Sequence, residues 1–193
     1  LNVTENIYSG PVKTYKSHRV HTGRILDREG NAIDQVLLIV FRAPRSYTGE
    51  EVVEIHCHGG SLIARRVLER ILEEGARMAL PGEFTFQAFS NGKLDLAQAE
   101  AVQQLIGSKN ELARTSANQQ LEGLLSKTIS SFQKELTQSA AILEAWVDFP
   151  EEGLEFTSLE EILTNLQKTK EKMTLLAATF EEGKTIHDGL TLC

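Results

Sequence analysis

A short stretch of the sequence, SYTGEEVVEIHCHGG, places a carboxylate and two imidazoles on one side of a predicted strand. Side chains on a strand alternate between its two faces, so Glu54, His56 and His58 point one way and the apolar residues between them point the other. The strand runs into a flexible corner at Gly59 and Gly60. Polar side chains of this kind do not suit a buried core. Beside a flexible corner they indicate a surface that lines a ligand site.

Glu54 is the strongest candidate on this face. A carboxylate in the middle of a strand costs free energy unless it is exposed or hydrogen-bonded. Two interpretations stay open: an exposed glutamate on an edge strand, or an acceptor for the N–H donors of a heterocyclic ligand. The turn that ends in Lys93 presents a lysine in a similar way, although the pattern Asn-Gly-Lys by itself indicates only a turn.

The histidines and the nearby cysteine could also suggest a metal or a nucleophile. Zinc needs three or four ligands of suitable type. His18 and His21 are far from His56 and His58 in sequence, and Cys57 faces the apolar side, where a thiol is usually inert packing. We therefore predict no metal site and no catalytic residue in this chain.

Composition indicates an ordinary soluble protein. The chain has 193 residues, of which 41% are hydrophobic and 24% are charged. No apolar run approaches the ~20 residues that cross a bilayer, and the start does not resemble a signal peptide. The two cysteines form no spacing motif. These features predict a cytoplasmic protein without a membrane segment.

Charge is distributed unevenly along the chain. The net charge of −7 argues against a generic polyanion binder. The first 45 residues nevertheless have a cationic excess, with only Glu5, Asp27, Glu29 and Asp34 as acids. The cations there are Lys13, Lys16, Arg19, Arg24, Arg28, Arg42 and Arg45. This excess indicates either solvated strand edges or a local patch that faces phosphate, and both interpretations stay open.

The first half of the sequence has the pattern of a mixed α/β structure. Residues 23–26 and 36–41 read as strands joined by a turn, and the second is a continuous apolar run that predicts burial on both faces. We also expect a strand over residues 76–80 and, after a turn at 81–83, a short helix over residues 84–89.

Between these strands the sequence predicts one longer helix. Ser61 is placed to cap its start, and the apolar residues that follow recur at helical spacing. Gly75 is placed to end the helix in the left-handed conformation.

The second half has the pattern of helices only. Asp95 is placed to cap a helix, and a much longer helix follows that must end before Pro150. Thr157 and Ser158 form overlapping capping boxes for the last helix, whose apolar positions run as far as Phe180. Apolar residues spaced by threes and fours predict two long antiparallel helices joined by an acidic loop. The apolar stripes are interpreted as packing surfaces.

Three segments carry a resemblance to a known family: APRSYTGEEVVEIHCHGG, GARMALPGEFTFQAFSNGKLDLAQAEAV and EAWVDFPEE. Together and in this order they resemble the MnmE (TrmE) family of tRNA-modifying GTPases. The resemblance implies an α+β tetrahydrofolate-binding domain over residues 1–94, similar to that of aminomethyltransferases, which forms homodimers. It implies that residues 95–193 are the first half of an all-α helical domain, ending at the start of the GTPase domain that is inserted into it.

The resemblance also indicates what is missing. The family begins with strands ending in an arginine that contacts folate, and by this resemblance those first strands are expected to be missing here. No G-x-x-x-x-G-K-[ST] phosphate loop occurs in this sequence. Residues 188–193 look like the first strand of the GTPase domain, so we expect a fragment that cannot hydrolyse GTP alone. Gln87 stands where the family usually has a basic residue, and Ser90 where leucine is common.

By this resemblance, Glu54 and Lys93 bind the cofactor, 5-formyl- or methylenetetrahydrofolate. The whole protein would work with the flavoprotein MnmG to add an aminomethyl or carboxymethylaminomethyl group to C5 of the wobble uridine of tRNA, using GTP, magnesium and potassium. Two alternatives remain: a stand-alone folate-dependent protein similar to aminomethyltransferases, and a purely structural dimerisation module.

Overall fold

The computed structural model describes residues 1–149, 157–179 and 183. By its internal contacts the chain divides into two units, Leu1–Leu94 and Asp95–Cys193. The first combines a small antiparallel sheet with helices and the second is made of helices, as the predicted fold class requires.

The sheet of the first unit has three antiparallel strands in the order β1 (Val20–Leu26), β2 (Ala32–Phe41) and β3 (Val52–His56). Asp27 Oδ1 accepts a hydrogen bond from the Asn31 N–H at 2.7 Å and so closes the turn between β1 and β2. These strands and this turn confirm the sequence prediction for the region.

The prediction that β2 is buried on both faces is wrong. Val36, Leu38 and Val40 are at most 2% exposed, but Leu37, which points to the other face, is 46% exposed. Val20, which shares that face on β1, is 59% exposed. The apolar run misled because antiparallel sheets often cover only one face, even where both faces carry apolar residues.

Two helices cover the buried face. Helix α1 (Asn2–Ile7) and helix α2 (Ser61–Glu73) pack there, with a 3₁₀ turn at Val12–Thr14. Arg70 of α2 is 7% exposed and donates to the Leu26 carbonyl at 3.1 Å, which joins α2 to the end of β1.

The start and end of α2 test two capping predictions. Gly60, not Ser61, is the N-cap residue, and no side chain caps this end. The prediction for Ser61 was therefore wrong by one residue. Gly75 has φ +100° and its N–H donates to the Leu72 carbonyl, so the predicted left-handed end is confirmed.

The predicted strand over residues 76–80 is wrong. These residues have no regular secondary structure. Their apolar side chains suggested a buried element, but Met78 is 60% and Leu80 71% exposed. Helix α3 (Glu83–Ser90) follows and confirms the predicted short helix.

The second unit contains four described helices: α4 (Leu96–Gly107), α5 (Glu111–Leu121), α6 (Leu124–Asp148) and α7 (Leu159–Ala178). Asp95 and Gln98 form a capping box at the start of α4, which confirms the predicted cap. Ser158 caps α7 by accepting from the Glu161 N–H. The acidic loop, Pro150 and Phe180 lie outside the described residues.

Helices α6 and α7 contact each other through a polar centre. Glu135 of α6 accepts from Thr169 at 2.6 Å and from Lys172 at 3.0 Å. The apolar stripe of α6 is only partly buried, since Phe132 is 7% exposed but Val147 is 78% exposed. Among the described residues, no helix combines the length and hydropathy needed to cross a membrane.

Candidate functional site

Glu54 lies on the face of the sheet opposite the core. It pairs with Ile39 across the strands, and Ile39 pairs with Val20. Its side chain is 51% exposed, and one carboxylate oxygen is 3.3 Å from Nε2 of His56. This carboxylate is open to a ligand, because its described contact is a single exposed imidazole.

The residues around Glu54 follow the predicted alternation. Val53, Ile55 and Cys57 pack against the core, on the other side of β3. His56 is 55% exposed beside Glu54. An open cavity of about 440 Å³ is lined by His56 but not by Glu54. This volume lies in the range of small-molecule sites.

His58 lies beyond the end of β3, where it lines the same cavity as His56. Its backbone N–H donates to Asp34 Oδ2 at 2.9 Å, and its ring Nδ1 lies 2.8 Å from Asp34 Oδ1. The hydrogen bond from the His58 N–H holds the pKa of Asp34 below its usual value. Asp34 thereby fixes the start of the Gly59–Gly60 corner, which the sequence alone did not reveal.

Within the described ranges, no three His, Cys, Asp or Glu side chains are grouped so that they could hold a metal ion.

Lys93 lies in the turn after α3 and is exposed. Its Nζ donates to the Pro44 carbonyl at 3.1 Å. Asn91, in the same turn, donates through Nδ2 to the Thr48 carbonyl at 2.8 Å. The turn after α3 is therefore attached to the loop between β2 and β3.

Because Gly49 has no Cβ, the loop between β2 and β3 can pack closely against the turn after α3. The φ of Gly49 is +80°, and a Cβ atom added there would lie 3.2 Å from both Asn91 Cβ and Lys93 Cγ. The Tyr47 hydroxyl, 2.9 Å from the Thr85 hydroxyl, joins the same loop to α3. Sequence reasoning predicted the turn at Lys93 but missed these anchors, since they link residues about 40 positions apart.

Arg77 and Glu83 fix the other end of α3. Arg77 donates through Nη1 to Glu83 Oε2 at 2.9 Å, and the Leu80 N–H donates to the same oxygen at 2.7 Å. The Arg77 guanidinium, with the Leu80 N–H, lowers the pKa of Glu83 to about 2. Glu83 was predicted only as part of a turn, and the structure makes it the acceptor that organises residues 77–83.

Glu54 and Lys93 do not contact each other in the described part of the chain, but they lie toward the same end of the sheet. That end, the Phe41 end, is where β1 begins, β2 finishes and β3 begins. Glu54 is opposite Ile39, two residues before Phe41, and Lys93 bonds to Pro44, three residues after Phe41. Glu54 and Lys93, the two predicted ligand residues, thus both lie toward the Phe41 end of the sheet.

A three-stranded sheet with helices on one face, followed by a helical unit, defines an α+β domain joined to an all-α domain. Two family models match these parts: "GTP-binding protein TrmE N-terminus" over residues 1–93 and "MnmE helical domain" over residues 96–191. The chain belongs to the MnmE (TrmE) family.

Relatives named tRNA modification GTPase MnmE support the same assignment. The protein from Protochlamydia amoebophila is 56% identical over 193 residues, covering 100% of this chain and 42% of that protein. Those from Moorella thermoacetica (47% over 183 residues) and Geobacter sulfurreducens (41% over 179) cover 94% and 92% of this chain and 39% of each protein. The chain thus spans about two fifths of the length of these relatives.

Proposed function

We propose that the first unit binds a reduced folate, 5-formyl- or methylenetetrahydrofolate, through Glu54 and Lys93. The observation that carries the proposal is the exposed carboxylate of Glu54 on the open sheet face, at the same end as Lys93. Membership of the family that contains this N-terminal domain supports it.

The chemistry of the ligand suits these two side chains. A pterin ring presents adjacent N–H and amino donors, and one carboxylate can accept both in a bidentate manner. Lys93 supplies a point charge for a polar edge of the cofactor or for its glutamate tail. The folate is the source of the one-carbon unit, while the protein holds and orients it.

A direct test is calorimetric titration of 5-formyltetrahydrofolate into the purified protein. We expect saturable binding with one site per chain. Heat no greater than that of dilution at millimolar ligand would contradict the proposal and favour a purely structural role for this unit.

For the whole protein we propose the activity that its family name describes, GTP-dependent tRNA modification in the cytoplasm. The reaction would add an aminomethyl or carboxymethylaminomethyl group to C5 of the wobble uridine, with MnmG as partner and with GTP, magnesium and potassium. The 193 residues here contain no phosphate-loop motif, so their part would be folate binding and dimer contacts and not phosphoryl transfer.

We also propose that the first unit forms a homodimer. The open sheet face that carries Glu54 also carries Val20 and Leu37, which are 59% and 46% exposed, so a second copy would cover this face beside the folate site. Exposed apolar groups on an open sheet favour association with a second copy. Sedimentation velocity at micromolar concentration is expected to give a dimer, and Leu37→Asp is expected to shift it to monomer.

Leu62→Asp is the matched control, since Leu62 is 69% exposed on α2. It is expected to leave the dimer unchanged. A wild-type protein that stays monomeric at high micromolar concentration would contradict dimerisation, and a dimer that survives Leu37→Asp would place the interface elsewhere.

A further inference from the structure

Among the residues that the structure describes, three cations at the Phe41 end have no acid partner. Lys16, Arg19 and Arg45 are exposed, and within the described residues no ion pair or hydrogen bond engages their side chains. Of the other cations in the early excess, Lys13, Arg28 and Arg42 form ion pairs with Glu5, Glu73 and Glu51. We call Lys16, Arg19 and Arg45 the cationic rim.

Backbone contacts hold the rim together. The Ser17 hydroxyl accepts from the Arg42 N–H at 3.0 Å, and the Arg45 N–H donates to the Arg42 carbonyl at 2.9 Å. The segment carrying Lys16 and the turn carrying Arg45 are therefore both attached to Arg42. Residues far apart in sequence meet here because β1 begins where β2 ends.

His18 fixes the segment between Lys16 and Arg19. It has φ +62°, in the left-handed region that side chains other than glycine rarely adopt. Its N–H donates to the Val40 carbonyl at 2.9 Å, and its ring lies edge-on to Phe41 with the centroids 5.0 Å apart. These contacts give the rim a defined backbone at the very end of the sheet.

The acids at this end do not cancel the rim. Glu51 is paired with the Arg42 guanidinium at 2.9 Å, so that pair is neutral. Glu50 is 3.4 Å from the Asn91 amide. Lys93 adjoins the rim, because its Nζ bonds to the carbonyl of Pro44, the residue before Arg45. Glu50 and Glu54 are the two acids there without a Lys or Arg partner among the described residues, and the three rim cations with Lys93 outnumber them, so the Phe41 end is cationic in a chain whose net charge is −7.

We propose that the cationic rim, together with Lys93, binds the γ-linked oligoglutamate tail of a polyglutamylated folate. This inference rests on the proposed function, which places the pterin at Glu54. Two strand residues, or about 7 Å, separate the level of Glu54 from the end of β2. A folate with its ring at Glu54 and its tail toward Phe41 directs its carboxylates to the rim.

The placement of exposed cations on two separate segments favours a chain of charges over a single anion. A lone phosphate or carboxylate is best held by converging donors, whereas the rim consists of separate, exposed cations on two segments. Each γ-linked glutamate adds one carboxylate along a flexible chain. Successive carboxylates can therefore meet successive cations, and the gain must be sensitive to salt.

The test compares 5-formyltetrahydrofolate with its triglutamate form by calorimetry at low and high salt. An exposed ion pair contributes at most about 1 kcal/mol, or roughly five-fold in affinity, so we expect the triglutamate to bind about ten-fold more tightly at low salt. Arg19→Gln/Arg45→Gln is expected to reduce that ratio to near one. The matched control, Arg65→Gln/Arg66→Gln on α2, is expected to keep it.

Each other outcome is decisive. Equal affinity of the two folates for wild-type protein overturns the tail site while the proposed function stands, and no binding of either folate overturns the proposed function itself. Loss of the ratio in the control variant would mean a general field effect and no local site. Tripolyphosphate that competes for the rim better than γ-triglutamate would assign it to a phosphate ligand.

Discussion

Replacing Glu54 with glutamine is expected to weaken reduced-folate binding by about ten- to a hundred-fold. The substitution keeps the size of the side chain but removes its charge, and the new amide nitrogen faces the N–H donors of the pterin. Loss of a charge-assisted hydrogen-bonded pair costs about 1.5–3 kcal/mol. Calorimetric titration with 5-formyltetrahydrofolate measures the change directly.

The same substitution should leave folding almost unchanged. The Glu54 carboxylate is 51% exposed and its described contact is His56, so no buried donor is left without a partner. Glu69→Gln, an equal charge change on the exposed side of α2, is the control for affinity. If Glu54→Gln left the affinity for 5-formyltetrahydrofolate unchanged but lowered the melting temperature, Glu54 would be a structural residue and not a ligand residue.

The part of this site that the sequence predicts is the part set by local geometry. Alternation along β3 is enough to place Glu54 and His56 together and to send Ile55 and Cys57 to the core. Local hydrogen-bonding groups likewise predict the Asp95 cap, because its partner is three residues away. These predictions need no knowledge of the tertiary structure.

The rest depends on contacts between distant residues. Lys93 meets Pro44, and Asp34 meets His58, across separations of 49 and 24 residues. No pattern within a single segment encodes such pairs. Residues 76–80 failed as a strand for a related reason, since Arg77 and Leu80 bond to Glu83 and not to a neighbouring strand.

Gly23 shows a packing requirement that the sequence does not reveal. It lies in β1, and the ring of Tyr8 packs directly on it, so that an added Cβ would be 2.3 Å from Tyr8 Cζ. Tyr8 is 4% exposed, and Tyr15 packs edge-on against it with ring centroids 6.3 Å apart. Tyr15 in turn stacks on His21 with the ring centroids 3.5 Å apart, so these two rings restrict movement of the Tyr8 ring on that side.

Gly23→Ala is therefore expected to lower the free energy of unfolding by about 1–3 kcal/mol, the usual cost of overpacking a core. Gly59→Ala is the matched control, because nothing lies within 4 Å of its added Cβ, and it is expected to change stability little. Urea unfolding measures both variants. If their m-values are equal, the difference between their midpoints gives the difference in stability. In a Tyr8→Val background the cost of Gly23→Ala should shrink, since the clashing ring is gone. Equal midpoints for Gly23→Ala and Gly59→Ala would show that Tyr8 yields freely and that Gly23 is not required for packing.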